Sequence, residues 1–131
     1  MIVVDTNVIL ACFLETEQSE AVRRLNESGG PWVAPPLWRS ESRNALALYI
    51  RTGRLTVADA VRIQRAGEDM MEGSERGVDS EDVLRLTESS GCTAYDCEFV
   101  ALAVRLDTPL LTFDRKILRE FGPIAIRPDS A

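Results

Sequence analysis

The sequence has no histidine, a single lysine (Lys116), and three cysteines, Cys12, Cys92 and Cys97, without CxxC spacing. Without imidazole, a Ser-His-Asp or Cys-His nucleophile system and a His-ligated zinc are excluded. Any hydrolysis must then be built from carboxylates, hydroxyls, arginine, Lys116 and a hard metal ion. The odd, unclustered cysteines argue against a disulfide framework and a structural zinc, and read as packed thiols. No apolar run is long enough to span a bilayer, and Met1-Ile2-Val3-Val4-Asp5 reaches a carboxylate with no basic region before it. It does not read as a secretory signal, and a cytoplasmic location is the expectation.

The chain of 131 residues is 45% hydrophobic and 27% charged, with a net charge of -6. This is the composition of one globular domain spanning residues 1–131. A pI near 4.7 speaks against a grip on nucleic acid through bulk positive charge. The charge is segregated, however. Residues 39–65 sum to +4, through Arg39, Arg43, Arg51, Arg54, Arg62 and Arg65, and residues 66–98 sum to -8. The acidic block reads as a solvated face. The arginine block reads equally as a solvated face or a phosphate-facing one.

Short β-branched or apolar runs at Ile2–Val4, Trp32–Ala34, Leu110–Phe113 and Ile124–Ile126 predict four buried strands. Between them, helical periodicity covers Asn7–Leu14, Ser19–Leu25, Leu37–Arg51, Val57–Met71, Glu81–Thr87, Ala94–Leu106 and Lys116–Phe121. Strands separated by helices, without hairpin turns, imply right-handed parallel crossovers and an α/β sandwich around a parallel sheet.

Such sheets hold ligands beyond the carboxyl ends of their strands, which directs attention to Asp5 and Asp114. Either aspartate alone reads as a helix N-cap before it reads as a catalyst. Glu41 stands on an apolar helical stripe with Leu37, Trp38, Ala45 and Leu48. It must therefore be paired with an arginine such as Arg39 or Arg43, be exposed by a rotated helix, or belong to a site. Asp96 fits a capping box with Thr93, yet it opens a helix, Phe99–Val104, that is nearly all apolar and so buried. Glu98 reads as an exposed first-turn carboxylate that favours the helix dipole. Gathered together, Asp5, Glu41, Asp96 and Asp114 would repel one another unless a cation sat among them. Oxygen-only donors select Mg2+ or Mn2+, and so point to metal-assisted phosphoryl chemistry.

Four segments in order, Val3-Val4-Asp5-Thr6-Asn7, Arg39 to Leu46 around Glu41, Tyr95-Asp96-Cys97-Glu98-Phe99-Val100-Ala101-Leu102-Ala103, and Leu111-Thr112-Phe113-Asp114-Arg115-Lys116, resemble the PIN-domain ribonucleases. In length and motif order the chain resembles the VapC toxins of prokaryotic toxin-antitoxin pairs. The resemblance implies a three-layer α/β/α sandwich around a short parallel sheet, a homodimer, a VapB-like antitoxin partner, and cleavage of RNA that requires Mg2+ or Mn2+. It also implies that Asp5, Glu41, Asp96 and Asp114 are the catalytic and metal-holding residues, with Thr6, Asn7 and Thr112 orienting carboxylates or water. Arg39, Arg43 and Arg51 are the candidate phosphate contacts.

Two α/β rivals fit less well. A haloacid dehalogenase type phosphatase needs a second acid two residues after the first, where this chain has Asn7. A response-regulator receiver is poorly matched by Phe113-Asp114-Arg115-Lys116. The alternative outside the enzymes is a PIN-like module that binds an antitoxin as a repressor complex without cutting.

Overall fold

A computed structural model describes residues 1–131, the whole chain. Strands β1 (Ile2–Val4), β2 (Trp32–Val33), β3 (Leu110–Leu111) and β4 (Ala125–Ile126) form one parallel sheet in the order β2-β1-β3-β4. Val3 pairs with Val33 on one side and Leu110 on the other, and Leu111 pairs with Ile126. Val3, Val4, Leu110 and Leu111 are buried. Covered on both faces, they form continuous apolar runs rather than alternating with polar residues.

The helices are α1 (Thr6–Ala11), α2 (Ser19–Ser28), α3 (Trp38–Arg51), α4 (Val57–Met70), α5 (Ser80–Glu88), α6 (Ala94–Leu106) and α7 (Arg115–Glu120), followed by a 3-10 turn, Pro128–Ser130. Helix α6 packs on β1 and β3 and carries α5, while α1 packs with α2 and against the α3/α4 pair. The result is a three-layer α/β/α sandwich. No helix is long and apolar enough to cross a membrane.

The chain leaves β1 toward β2 on one side, whereas β3 leads to β4 on the other. The ends of β1 and β3 therefore flank a topological switch point, where open parallel sheets have their crevice. A small apolar cluster of Leu10, Leu46 and Ala60 pins α1, α3 and α4 together. It fixes the helix that carries Glu41 beside the helix that Asp5 caps.

Helix α1 ends earlier than its periodicity predicts, because side chains claim the carbonyls that follow it. Arg23 Nε donates to the Cys12 carbonyl, and Ser19 Oγ donates to that of Leu14. The acidic block is also less solvated than its composition suggests. Glu75 forms an isolated parallel bridge to Ala34, accepts from Trp38 Nε1 at 2.7 Å, and takes both arms of Arg39 at 2.7 and 3.2 Å. Trp38 is buried beneath α4 at Gly67, where an added Cβ would stand 3.3 Å from the indole ring. Glycine lets the two helices close over it.

Candidate active site

Asp5 follows β1 and caps α1. Its Oδ1 accepts from the Thr6 amide at 2.8 Å and its Oδ2 from the Thr112 hydroxyl at 2.7 Å. Thr112, next after β3, in turn accepts from the Asp114 amide at 3.0 Å. One buried hydroxyl thus ties the ends of the two central strands and the acids that follow them. Asp114 caps α7 through Oδ1, which accepts from the Lys116 and Ile117 amides. Its other oxygen bonds no protein group. Asn7 Oδ1 accepts from the Phe113 amide at 3.2 Å. A side chain of α1 thereby takes over where the strand ladder of β3 stops.

Glu41, half-buried near the start of α3, accepts at Oε1 from the Thr6 hydroxyl at 2.7 Å. No arginine pairs with it, so of the three readings open in the sequence the buried ion pair is excluded. Asp96 lies on the first turn of α6. The cap there is the Thr93 hydroxyl, which accepts from the Asp96 amide at 3.1 Å. The Asp96 carboxylate in turn bonds Thr93, the reciprocal half of the capping box that the sequence predicts.

The four acids share one electrostatic field. Burial raises Asp5 from 3.8 to about 7, against hydrogen bonds from Thr112 and Thr6, and the charges of Glu41 and Asp96 raise it further. Burial also raises Glu41, opposed by the Thr6 hydrogen bond and reinforced by Asp96, Glu98 and Asp114. Asp96 is raised by burial and by Asp114, against Thr93 and Lys116. No three of these carboxylates gather within reach of one ion as they stand, the arrangement expected of like charges with no cation among them. Their chemistry suits a hard divalent ion: oxygen donors only, no competing ion pair on any of the four, and a buried carboxylate whose desolvation a cation would offset.

Two residues near the site carried little weight in the sequence. Glu98 is half-buried rather than a fully exposed first-turn acid. Its effect on Glu41 places it at the edge of the same field. Lys116, from α7, lowers Asp96 and is a cation at the rim. The expected phosphate contacts separate from one another. The Arg39 guanidinium is paired with Glu75 and lies 3.5 Å from Glu68, so part of its charge is met within the fold. Arg43 is exposed, 3.8 Å from Glu68. Arg51 is exposed on the last turn of α3 and enters no ion pair.

The chain matches the PIN domain family model over residues 2–122. A protein named Ribonuclease VapC3, from Pyrobaculum aerophilum, is 28% identical over 130 residues, covering 97% of this chain and 98% of the relative. Among solved structures, PAE2754 from Pyrobaculum aerophilum superposes with a TM-score of 0.71 at 24% identity, over 98% of this chain and 91% of that one. FitAcB from Neisseria gonorrhoeae gives 0.73 at 18% identity, over the full length of both chains. A toxin-antitoxin complex from Klebsiella pneumoniae gives 0.68 at 14%, over 98% of both chains. With its fold, the acids at its switch point and a family match covering nearly all of its length, this chain belongs to the PIN-domain family.

Proposed function

We propose that this chain is an endoribonuclease toxin of a toxin-antitoxin pair that hydrolyses RNA phosphodiesters with Mg2+ or Mn2+ held by Asp5, Glu41, Asp96 and Asp114. The observation that carries this reading is a buried carboxylate, Asp5, paired with no cation at the switch point and sharing its field with Glu41 of α3 and Asp96 of α6. A fold that stabilises itself through electrostatics would place an arginine there. One that binds a divalent ion keeps the position open.

A bound divalent ion supplies charge neutralisation at a scissile phosphate and lowers the pKa of water. The protein's own residues prepare the place. Thr6 fixes Glu41, and Thr112 fixes Asp5 while holding the amide of Asp114, so three acids are set before substrate arrives. The Lys116 ammonium at the rim gives an approaching phosphate a local attraction within an otherwise repulsive field. Attack by water leaves a 5'-phosphate and a 3'-hydroxyl, so preference for RNA rests on shape and contacts rather than on use of the 2'-hydroxyl.

The partner follows from the same electrostatics. Four acids at one crevice, three of them part-exposed, invite an arginine, planar and permanently charged, that pairs bidentately with two of them and competes with the metal. A small VapB-like antitoxin encoded beside this gene, placing such an arginine from a tail that orders on binding, would silence the site. The relative named Ribonuclease VapC3 supports this reading, and a homodimer is part of the proposal. Expression of the chain alone arrests growth, co-expression of the neighbour relieves it, and Asp5→Asn is harmless in both settings. A folded wild-type chain that is harmless alone in its own host would favour the non-cutting repressor module.

A further inference from the structure

Helices α1 and α3 both begin at the acidic site, where Thr6 of one donates to Glu41 of the other. From that point a cleft runs outward between them. On α3 the row Glu41, Ala45, Tyr49 follows the i, i+4, i+8 spacing of one helix face and spans ~12 Å. The facing wall is Leu10 and Ala11 of α1 with Leu14 and Thr16 beyond its end, and the end nearest the acids is closed by Phe113 and Asn7. The cavity measures about 300 Å3, at the lower end of ligand pockets. It has room for one flat ring system and is too small for a helix.

Both of its aromatic residues carry an arginine. Helix α3 ends in a Schellman motif: Gly53, at φ +75°, donates to the Ile50 carbonyl, and the Arg54 amide donates to that of Tyr49. The motif folds Arg54 back so that its guanidinium lies 5.5 Å from the Tyr49 ring centre. Arg54 is exposed and forms no ion pair. The Arg127 guanidinium lies 5.4 Å from the Phe113 ring and is held there by Asp129. Neither arginine lines the cavity, so both rings keep surface toward it. At the margins stand two planar amides. The Asn7 nitrogen bonds no protein group, because only its oxygen holds the Phe113 amide, and the Gln18 side chain makes no capping bond at the start of α2.

We infer that the cleft between α1 and α3 is a nucleobase subsite, which takes one unpaired base of the RNA next to the scissile phosphate. The inference rests on the ribonuclease reading of the adjoining acids. Aromatic rings backed by guanidinium groups stack on a base, side-chain amides meet its edge, and Arg54 meets the flanking phosphate, the combination by which proteins hold splayed single-stranded bases. An apolar side chain of a protein partner would use the leucines. It would have no use for the amides or for an unpaired arginine aligned on a tyrosine.

The test uses short single-stranded RNAs with 2-aminopurine moved one position at a time, bound to Asp96→Asn protein so that nothing is cut. Quenching is expected at one or two adjacent positions. Adding Tyr49→Ala should abolish it and weaken binding by about tenfold, the scale of one lost stack, and Tyr49→Trp should retain it. In the active enzyme, an abasic nucleotide at that position should lower kcat/KM by about tenfold, with no further loss in the Tyr49→Ala background. Thermal melts check folding. If Tyr49→Ala melts early, Phe113→Leu and Tyr49→Trp take its place. Additive losses, or quenching that survives Tyr49→Ala, overturn the subsite and leave the ribonuclease reading standing. So does a Tyr49→Ala protein that handles RNA normally but no longer binds the protein of the adjacent gene. Tyr49-dependent quenching without any cleavage by the wild type upholds the subsite and overturns the ribonuclease. RNA that is neither bound nor cut overturns both.

Discussion

Replacing Asp5 by asparagine should make the metal-free protein more stable, by an amount set by pH. Burial holds the Asp5 carboxyl at about 7, against 3.8 in the unfolded chain, a gap worth about 4 kcal/mol. Because the folded form binds this proton more tightly, the native state is not penalised below pH 3.8. It loses stability as pH rises through about 7, where the buried group is finally forced to ionise. The Asp5→Asn variant has no such penalty. Its amide oxygen still accepts from the Thr6 amide, but the Thr112 hydroxyl loses a carboxylate acceptor, a constant cost of about 1 kcal/mol. Between pH 5 and pH 8 the stability of Asp5→Asn relative to wild type should therefore rise by about 2–3 kcal/mol. Urea unfolding in the presence of a chelator, at several pH values across that range, measures the difference directly. A difference that stays flat with pH, or that falls as pH rises, would show that a partner within the fold stabilises the Asp5 charge.

Glu41→Gln should raise the melting temperature of the metal-free protein above pH 6, since burial and neighbouring acids raise Glu41 and no arginine pairs with it. A lower melting temperature would reveal a cationic partner. Asp96→Asn should leave stability within about 0.5 kcal/mol and reduce cleavage at least about 100-fold, because an asparagine side chain can still bond Thr93 but offers a divalent ion no charge; an unfolded variant would make Asp96 structural. Arg39→Ala should cost about 1 kcal/mol through its bonds to Glu75 and leave RNA affinity per folded molecule unchanged. Arg51→Ala should do the reverse, with stability intact and a shallower salt dependence of RNA binding. Identical salt slopes for Arg51→Ala and wild type would remove Arg51 from the interface.

Most of the architecture is local and so was legible. Every strand and helix sits within a few residues of its periodicity, because β-branched runs, Thr and Asp caps and glycine stops act over a single turn. The acids after β1 and β3 could be found because a parallel sheet fixes where a site must lie before any side chain is placed. What escaped was long-range pairing. Nothing near Arg39 in sequence announces that Glu75, from the block read as a solvated face, will claim it. Likewise, nothing near Glu98 shows that α6 turns it toward Glu41. The Ala34–Glu75 bridge and the Arg127–Phe113 stack join segments whose meeting only the packed core decides. The Schellman turn at Gly53 is a local signal, but its consequence, an arginine laid on Tyr49 at the end of a cleft, appears only when α1 closes the other side.

On the proposed function, these four carboxylates run water-driven, divalent-metal hydrolysis of RNA. Cleavage of an end-labelled single-stranded RNA by purified protein, with Mg2+ or Mn2+ titrated in after chelation and the new termini identified, tests it most directly. The expected result is no cleavage without added ion, recovery with Mg2+ or Mn2+ and none with zinc, 5'-phosphate and 3'-hydroxyl ends, and silence in Asp114→Asn at every ion concentration. Cleavage that persists in chelator, or that leaves a 2',3'-cyclic phosphate, would contradict it.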